Sequence, residues 1–171
     1  MSTRVAPSAG ALLLLAAALA VLIVASGDDD EAPGGTASPV SRGGSVTEVV
    51  DGDTAHVSID GHDETVRFIG IDTPEVDPSI GVECFGKQAS ERNHELIDGE
   101  RVRLEVGTEE RDKYGRLLAY VYVGDEFINA ELVRGGYAQT LEIPPNTDKA
   151  QFLGELEREA ADAGRGLWGA C

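Results

Sequence analysis

Lysine is almost missing from this chain. Only Lys87, Lys113 and Lys149 occur in 171 residues, and all Lys and Arg together number 14 against 31 Asp and Glu. The formal charge is −17. A passive nucleic-acid binder presents a basic face, so that class is disfavoured; an enzyme with a local basic site is not. Cysteine is scarcer still. Cys84 and Cys171 are too few and too far apart for a metal knuckle. In an exported protein an even pair reads as one disulfide, with two free thiols as the alternative. Closing so long a loop contributes on the order of 4–5 kcal/mol in the chain-entropy model. The three histidines supply no nucleophilic machinery. His56, His62 and His94 fall on a strand pattern, in a turn and on a helix pattern, and no motif pairs them with a serine or cysteine.

There is one long apolar run, Ala11 to Ala25, preceded by Arg4. It is long for the core of a signal peptide and short of the roughly 20 residues of a spanning helix. Residues 1–27 therefore read as a cleaved signal, with Ala25, Ser26 and Gly27 for the peptidase, or as a retained N-terminal anchor. Either way the remainder is extracytoplasmic, secreted or anchored, and membrane contact is confined to this segment. No cysteine lies near it to carry a lipid. Residues 28–44 hold Val40 as their only large apolar side chain, too little burial to offset ordering, and read as a disordered linker. The folded domain is expected over 45–171, enough for one core.

Within that domain Val46–Val50 and Thr54–Ile59 flank an Asp-Gly turn, and Ala55, Val57 and Ile59 alternate with polar neighbours. A second turn at residues 59–63 and a third strand over Thr65–Ile71 complete a meander. Ala89, Leu96 and Ile97 suit a helical stripe that Gly99 stops. Arg101–Val106 alternates again, with Val102, Leu104 and Val106 inward, and Leu117–Val123 is apolar on both faces. A short helix ends at Gly135-Gly136. In the last helix Leu153, Leu156, Ala160 and Ala163 form the stripe, and Asp148 with Gln151 predicts a capping box. Five strands with helices inserted late predict a mainly β, α+β fold: a five-stranded Greek-key barrel of the OB type with about three helices. A small sandwich is the alternative.

Four motifs, "VVDGDT", "VRFIGIDTPE", "DKYGRLLAYVYV" and "NAELVRGGYA", occur in that order and spacing. Together they resemble the thermonuclease family typified by staphylococcal nuclease, over about Val46 to Ala163. The resemblance implies an OB-fold barrel that cleaves DNA and RNA phosphodiesters with one Ca²⁺ ion. It implies Asp53, Asp72 and the carbonyl of Thr73 as metal ligands, Arg67, Glu75 and Arg116 as catalytic residues, and Lys113 and Tyr114 as phosphate-end contacts.

The residues suit that chemistry. Phosphodiester cleavage needs an attacking water, a base and positive charge around the transition state. Asp53 and Asp72 end neighbouring strands and offer hard oxygen ligands, which favour Ca²⁺ over Zn²⁺. With so few carboxylates, one ion is expected rather than two. Asp51 is a supporting neighbour of the ligands. For Asp53 alone the plain reading is a type I′ turn residue. Arg67 interrupts an apolar strand, sharing a face with Ile69 and Ile71, and its planar fork can hold a phosphate bidentately; an internal ion pair is the alternative. Arg116 sits just before the buried strand, aimed at the same edge. Glu75, fixed after Pro74, is the candidate base, against a plain solvated loop glutamate. Trp168 is expected to pack the C-terminal tail on the barrel.

Two departures from staphylococcal nuclease bear on affinity. Glu142 and Pro144 stand where that enzyme has base-contacting tyrosines, and the segment after "DTPE" has no lysine. The sequence thus reads as an exported Ca²⁺-dependent nuclease, an endonuclease acting as a monomer on DNA or RNA. The alternative is a non-catalytic OB-type module that binds nucleic acid or another ligand.

Overall fold

Alternation in the sequence becomes a closed sheet. The computed structural model describes residues 40–76, 79 and 81–171; the expected signal, 1–27, and linker residues 28–39 lie outside them. The chain forms β1 (Ser41–Val49), β2 (Thr54–Ile59), β3 (His62–Phe68) and β4 (Ile71–Asp72), then α1 (Gly86–Ile97). After α1 come β5 (Arg101–Arg111), β6 (Leu117–Val123), β7 (Glu126–Phe127), α2 (Ile128–Arg134), β8 (Gln139–Thr140), α3 (Ala150–Asp162) and the four-residue α4 (Leu167–Ala170). Strand order is β3-β2-β1-β5-β6, and β3 pairs in parallel with β6, which closes a five-stranded barrel. The OB-type expectation holds.

Inward positions of every barrel strand meet in one core. Val57, Val66, Phe68, Leu104, Leu117, Ala119 and Val121 are buried, and Leu132, Val133 and Leu153 of α2 and α3 seal one end. Burying one such large side chain stabilises by about 1.5–3 kcal/mol. β6 is buried on both faces as its sequence suggests: Tyr120 and Tyr122 point outward into a second cluster with Ile69 and Phe127.

Several local readings change. β1 begins at Ser41, inside the stretch read as linker, because Ser41–Ser45 pair with Arg101–Glu105 of β5. β5 runs on to Arg111 through an irregularity after Val106. The third strand does not reach Ile71. Gly70, at φ 80°, turns the chain, so Ile71–Asp72 pairs with Gln139–Thr140 instead. Arg67 therefore shares no strand face with Ile71, which lies in the main core while Ile69 lies in the second cluster. The capping box fails: Lys149 is the N-cap of α3, without a side-chain cap bond. Ala163 is exposed past the end of that helix, beyond the buried stripe.

Candidate active site

The turn "DGD" between β1 and β2 is tied by its own acids. Asp51 Oδ1 accepts from Asp53 N–H at 3.0 Å, and no residue of the turn has positive φ, so it is not a type I′ turn. The left-handed pair is Asp60-Gly61, between β2 and β3. Asp53 is 5% exposed, and its carboxylate faces inward along the rim. Its Oδ2 accepts from Thr73 N–H at 2.8 Å and from the Thr73 hydroxyl at 3.0 Å, and the Thr54 hydroxyl donates to Oδ1 at 3.1 Å. Gly52 makes room for this. A Cβ there would lie 2.6 Å from Thr73 Oγ1, so only glycine lets the two turns touch.

Arg67 lies between the two expected ligand carboxylates. Its Nε is 3.1 Å from Asp53 Oδ1 and its Nη2 donates to Asp72 Oδ1 at 2.8 Å. Nη1 donates to the carbonyls of Phe68 and Ile71, both at 2.8 Å. The guanidinium is thus occupied inside the protein, which is the ion-pair alternative of the sequence reading. Asp72 is the partner more open to water, with 57% side-chain exposure.

The carboxylates outnumber their cation. Partial desolvation of this exposed side chain, followed by repulsion from Asp51, Asp53, Asp72 and Glu83, raises the pKa of Glu75. Burial raises that of Asp72, with Arg67 opposing and Asp53 and Glu83 adding. Asp51 is raised by burial and by Asp53. Among the described residues no three Asp, Glu, His or Cys side chains converge on a point. The donor set nevertheless fits a hard cation in its chemistry: it is all oxygen and it carries excess negative charge. An ion here would be held by Asp53, Asp72, the Thr73 carbonyl and water.

Arg116 reaches the same rim from before β6. Asp112 holds it, Oδ2 accepting from Nε at 2.7 Å and Oδ1 from the backbone N–H at 3.0 Å. Burial works against the Asp112 charge, but these bonds keep its pKa below the usual range. The two terminal nitrogens of Arg116 have no hydrogen-bond or ion-pair partner among the described residues, and its guanidinium carbon lies 5.5 Å from the Tyr114 ring centroid. A cleft of about 350 Å³ lies between Arg67 and Arg116, with Lys113 and Tyr114 at its mouth and Leu118, Leu141 and Ile143 as apolar wall. Tyr114 is 73% exposed, with Lys113 Nζ 4.9 Å from its ring centroid. Asp53, Asp72 and Glu75 are not walls of this cleft, and Arg67 is the side chain common to both parts.

The structure brings Asp51, Asp53, Arg67, Asp72 and Thr73 into one network. It sets Glu75 within electrostatic reach of them and puts Arg116, Lys113 and Tyr114 across the cleft. Cys84 and Cys171 are joined. Trp168 is half-buried at the C-terminus, its indole N–H without a partner among the described residues. Sequence reasoning missed four supporting residues. Asn93, fully buried on α1, donates to the Asp51 carbonyl at 2.8 Å. Asp112 aims Arg116. Asn146 bonds both backbone groups of Glu109 at 2.9 Å, pinning the cleft's far wall. Glu83 grips Glu75. A polar residue at a buried helix position, as at Asn93, was the one legible signal among these.

A closed five-stranded barrel whose rim carries acidic turns beside two arginines defines an OB-fold protein of the staphylococcal nuclease type. Residues 65–170 match the family described as "Staphylococcal nuclease homologue". The chain is 43% identical over 124 residues to the thermonuclease of Staphylococcus intermedius, covering 72% of this chain and 74% of that one. It is 37% identical over 124 residues to the thermonuclease of Staphylococcus hyicus, covering 72% and 73%. With the endonuclease YncB of Bacillus subtilis it shares 37% identity over 127 residues, covering 72% of this chain and 60% of that one. The chain belongs to the staphylococcal nuclease family, a family of nucleases.

Proposed function

We propose that this protein is an exported, Ca²⁺-dependent endonuclease that hydrolyses phosphodiester bonds of DNA or RNA as a monomer. The observation that carries the reading is the Arg67 guanidinium, which joins the carboxylate network of Asp53 and Asp72, with Glu75 in electrostatic reach, to the cleft that Arg116 lines. Ca²⁺ at Asp53, Asp72 and the Thr73 carbonyl would supply charge to polarise a phosphoryl oxygen and acidify water.

The chain's own residues do the rest. Glu75, its basicity raised by partial desolvation and its acidic neighbours, orients a water and takes its proton as the oxygen attacks phosphorus; the P–O bond to one sugar breaks and the leaving oxygen takes a proton from water. Arg116, held by Asp112 with its outer nitrogens free, meets the charge that builds on the phosphoryl oxygens. Arg67 supplies a second guanidinium from inside the carboxylate network. Fixed donors of this kind stabilise the transition state without reorganising. Lys113 and Tyr114 contact the phosphate end, and the aliphatic wall of Leu141 and Ile143 receives the base in place of the tyrosines of staphylococcal nuclease.

Export rests on the apolar segment within residues 1–27 and agrees with a disulfide, which persists in oxidising compartments. Among the described residues no helix is long and apolar enough to cross a membrane. The test is cleavage of single- and double-stranded DNA and of RNA by the purified protein, with millimolar Ca²⁺ and with excess chelator. Few carboxylate ligands imply Kd of roughly 10⁻⁴–10⁻³ M. Cleavage with Ca²⁺ and none with chelator, at unchanged circular dichroism, is the expected result. Full activity in chelator overturns the metal reading, and binding without cleavage in Ca²⁺ supports the non-catalytic module.

A further inference from the structure

Glu75 is exposed, and both hydrogen bonds of its backbone N–H and carbonyl run to one residue. Glu83 Oε2 accepts from Glu75 N–H at 3.0 Å, and Glu83 N–H donates to the Glu75 carbonyl at 2.9 Å. Directly behind stands Gly86, whose N–H donates to the Glu83 carbonyl at 3.1 Å. A Cβ on Gly86 would lie 2.6 Å from the Glu75 carbonyl oxygen and 2.9 Å from that of Pro74. The start of α1 is therefore the backstop of the segment that carries the proposed base.

The residue after Glu83 is Cys84, joined to Cys171 across 87 positions of sequence. Cys171 closes α4, its N–H donating to the Leu167 carbonyl at 3.0 Å. Leu167 is buried and its own N–H donates to the Gly136 carbonyl at 2.9 Å, just past α2. One covalent bond thus couples the Glu75 segment to the helical end of the barrel. Both cysteines are exposed, so the bond is open to reductant. The Glu75–Glu83 bonds are exposed too, and such bonds are individually weak. They hold Glu75 only if the backbone at Glu83 is itself held.

We propose that the Glu83 carboxylate and the Cys84–Cys171 disulfide form a clamp that positions Glu75, making the cleavage rate depend on the redox state of the disulfide. The inference rests on Glu75 as the base of the proposed nuclease. Glu83 is a positioning residue, since it touches Glu75 and not the reacting atoms. Opening the clamp needs a dithiol reductant. Its two thiols give up two electrons and two protons and close to a disulfide; the Cys84–Cys171 S–S bond breaks, and each sulfur gains one electron and one proton. A misplacement of about 1 Å at a reacting group can cost on the order of 10²-fold in rate. A loosened rather than displaced Glu75 loses less.

The test uses the full chain, saturated with Ca²⁺, well below its melting temperature. The rate of the oxidised protein is measured first, then that of the protein reduced with dithiothreitol, with thiols counted and circular dichroism recorded. The clamp predicts a roughly tenfold fall in kcat on reduction, KM and Ca²⁺ affinity within about twofold, and recovery on reoxidation. Cys84→Ser with Cys171→Ser should reproduce the reduced rate and ignore dithiothreitol. Glu83→Ala should lower kcat in the oxidised protein, and Glu83→Gln, whose amide oxygen still accepts, should restore part of it. An unchanged kcat with both thiols free and the fold intact overturns the clamp alone. An oxidised protein that cleaves nothing overturns the nuclease reading and the clamp together.

Discussion

Thr73 and Asp53 are joined twice: the backbone N–H and the hydroxyl of Thr73 both donate to Asp53 Oδ2, at 2.8 and 3.0 Å. Twenty residues apart in sequence, they weld the "DGD" turn to the "DTPE" turn. A carboxylate that accepts fixed backbone and hydroxyl donors is pre-aimed before any ligand arrives. Thr73→Val removes one charge-assisted bond at a buried acceptor and should cost about 1.5–3 kcal/mol of stability. Gly52→Ala should weaken Ca²⁺ binding more than it lowers stability, because its methyl strikes Thr73 at the contact itself. Thermal melts and calorimetric Ca²⁺ titrations of both variants check this.

Arg67, proposed as a catalytic cation, is also a structural one. Removing it leaves Asp53, with 7% side-chain exposure, as a buried charge without its counter-ion. Arg67→Ala should therefore destabilise by about 3–5 kcal/mol, apart from any loss of rate. Arg67→Lys keeps the charge but cannot bond Phe68, Ile71 and Asp72 from a planar fork. It should melt lower than the wild type and cleave more slowly. A fully stable and fully active Arg67→Lys enzyme contradicts this assignment.

Much of this was legible in the chain. Alternation in Thr54–Ile59 and Arg101–Val106 exposes the barrel strands, and four motifs in register expose the rim. What escaped was set by contacts between distant segments. Gly70 turns a strand that periodicity carries through to Ile71, because the partner of Ile71 is Thr140, far along the chain. Ser41–Gly44 carry no apolar signal, and only the edge of β5 makes them a strand. Asp112 and Glu83 act through geometry that one-dimensional spacing does not encode. Arg67 looked like a free phosphate fork because its carbonyl partners are backbone atoms, invisible in a side-chain pattern.

Acid should unfold the protein through paired glutamates away from the rim. Glu105 bonds Arg103, Tyr122 and Lys149; burial opposes its charge, but these partners hold its pKa below the ordinary value. Glu64 is lowered by its two bonds from Arg111. A carboxylate with a depressed folded pKa binds its proton more readily when unfolded. Its stabilisation is complete above the unfolded value of about 4.3 and is lost as pH falls through the folded one. Glu105→Gln should flatten that acid limb. Melting temperature against pH from 6 to 3 measures it.

Salt should help rather than hinder cleavage at low ionic strength. A polyanion approaching a protein of charge −17 is repelled at long range. The Debye length falls from about 30 Å at 0.01 M to about 3 Å at 1 M. Remote carboxylates are screened first, while contacts to Arg116 and Arg67 persist. A basic nuclease instead loses affinity steadily as counterion release is suppressed. At saturating Ca²⁺, kcat/KM is predicted to stay flat or rise from low to moderate salt. A steep monotonic fall would show that local basic contacts govern encounter.

The most direct measurement is the single-turnover cleavage rate of Glu75→Gln, with Ca²⁺ and substrate affinity measured on the same preparation. Glu75 neither bonds Asp53 or Thr73 nor lines the cleft, so both affinities should stay within a few-fold of wild type. Loss of a general base should lower the rate by about 10²–10⁴-fold. An unchanged rate with intact binding contradicts the assignment of Glu75 as the group that activates water.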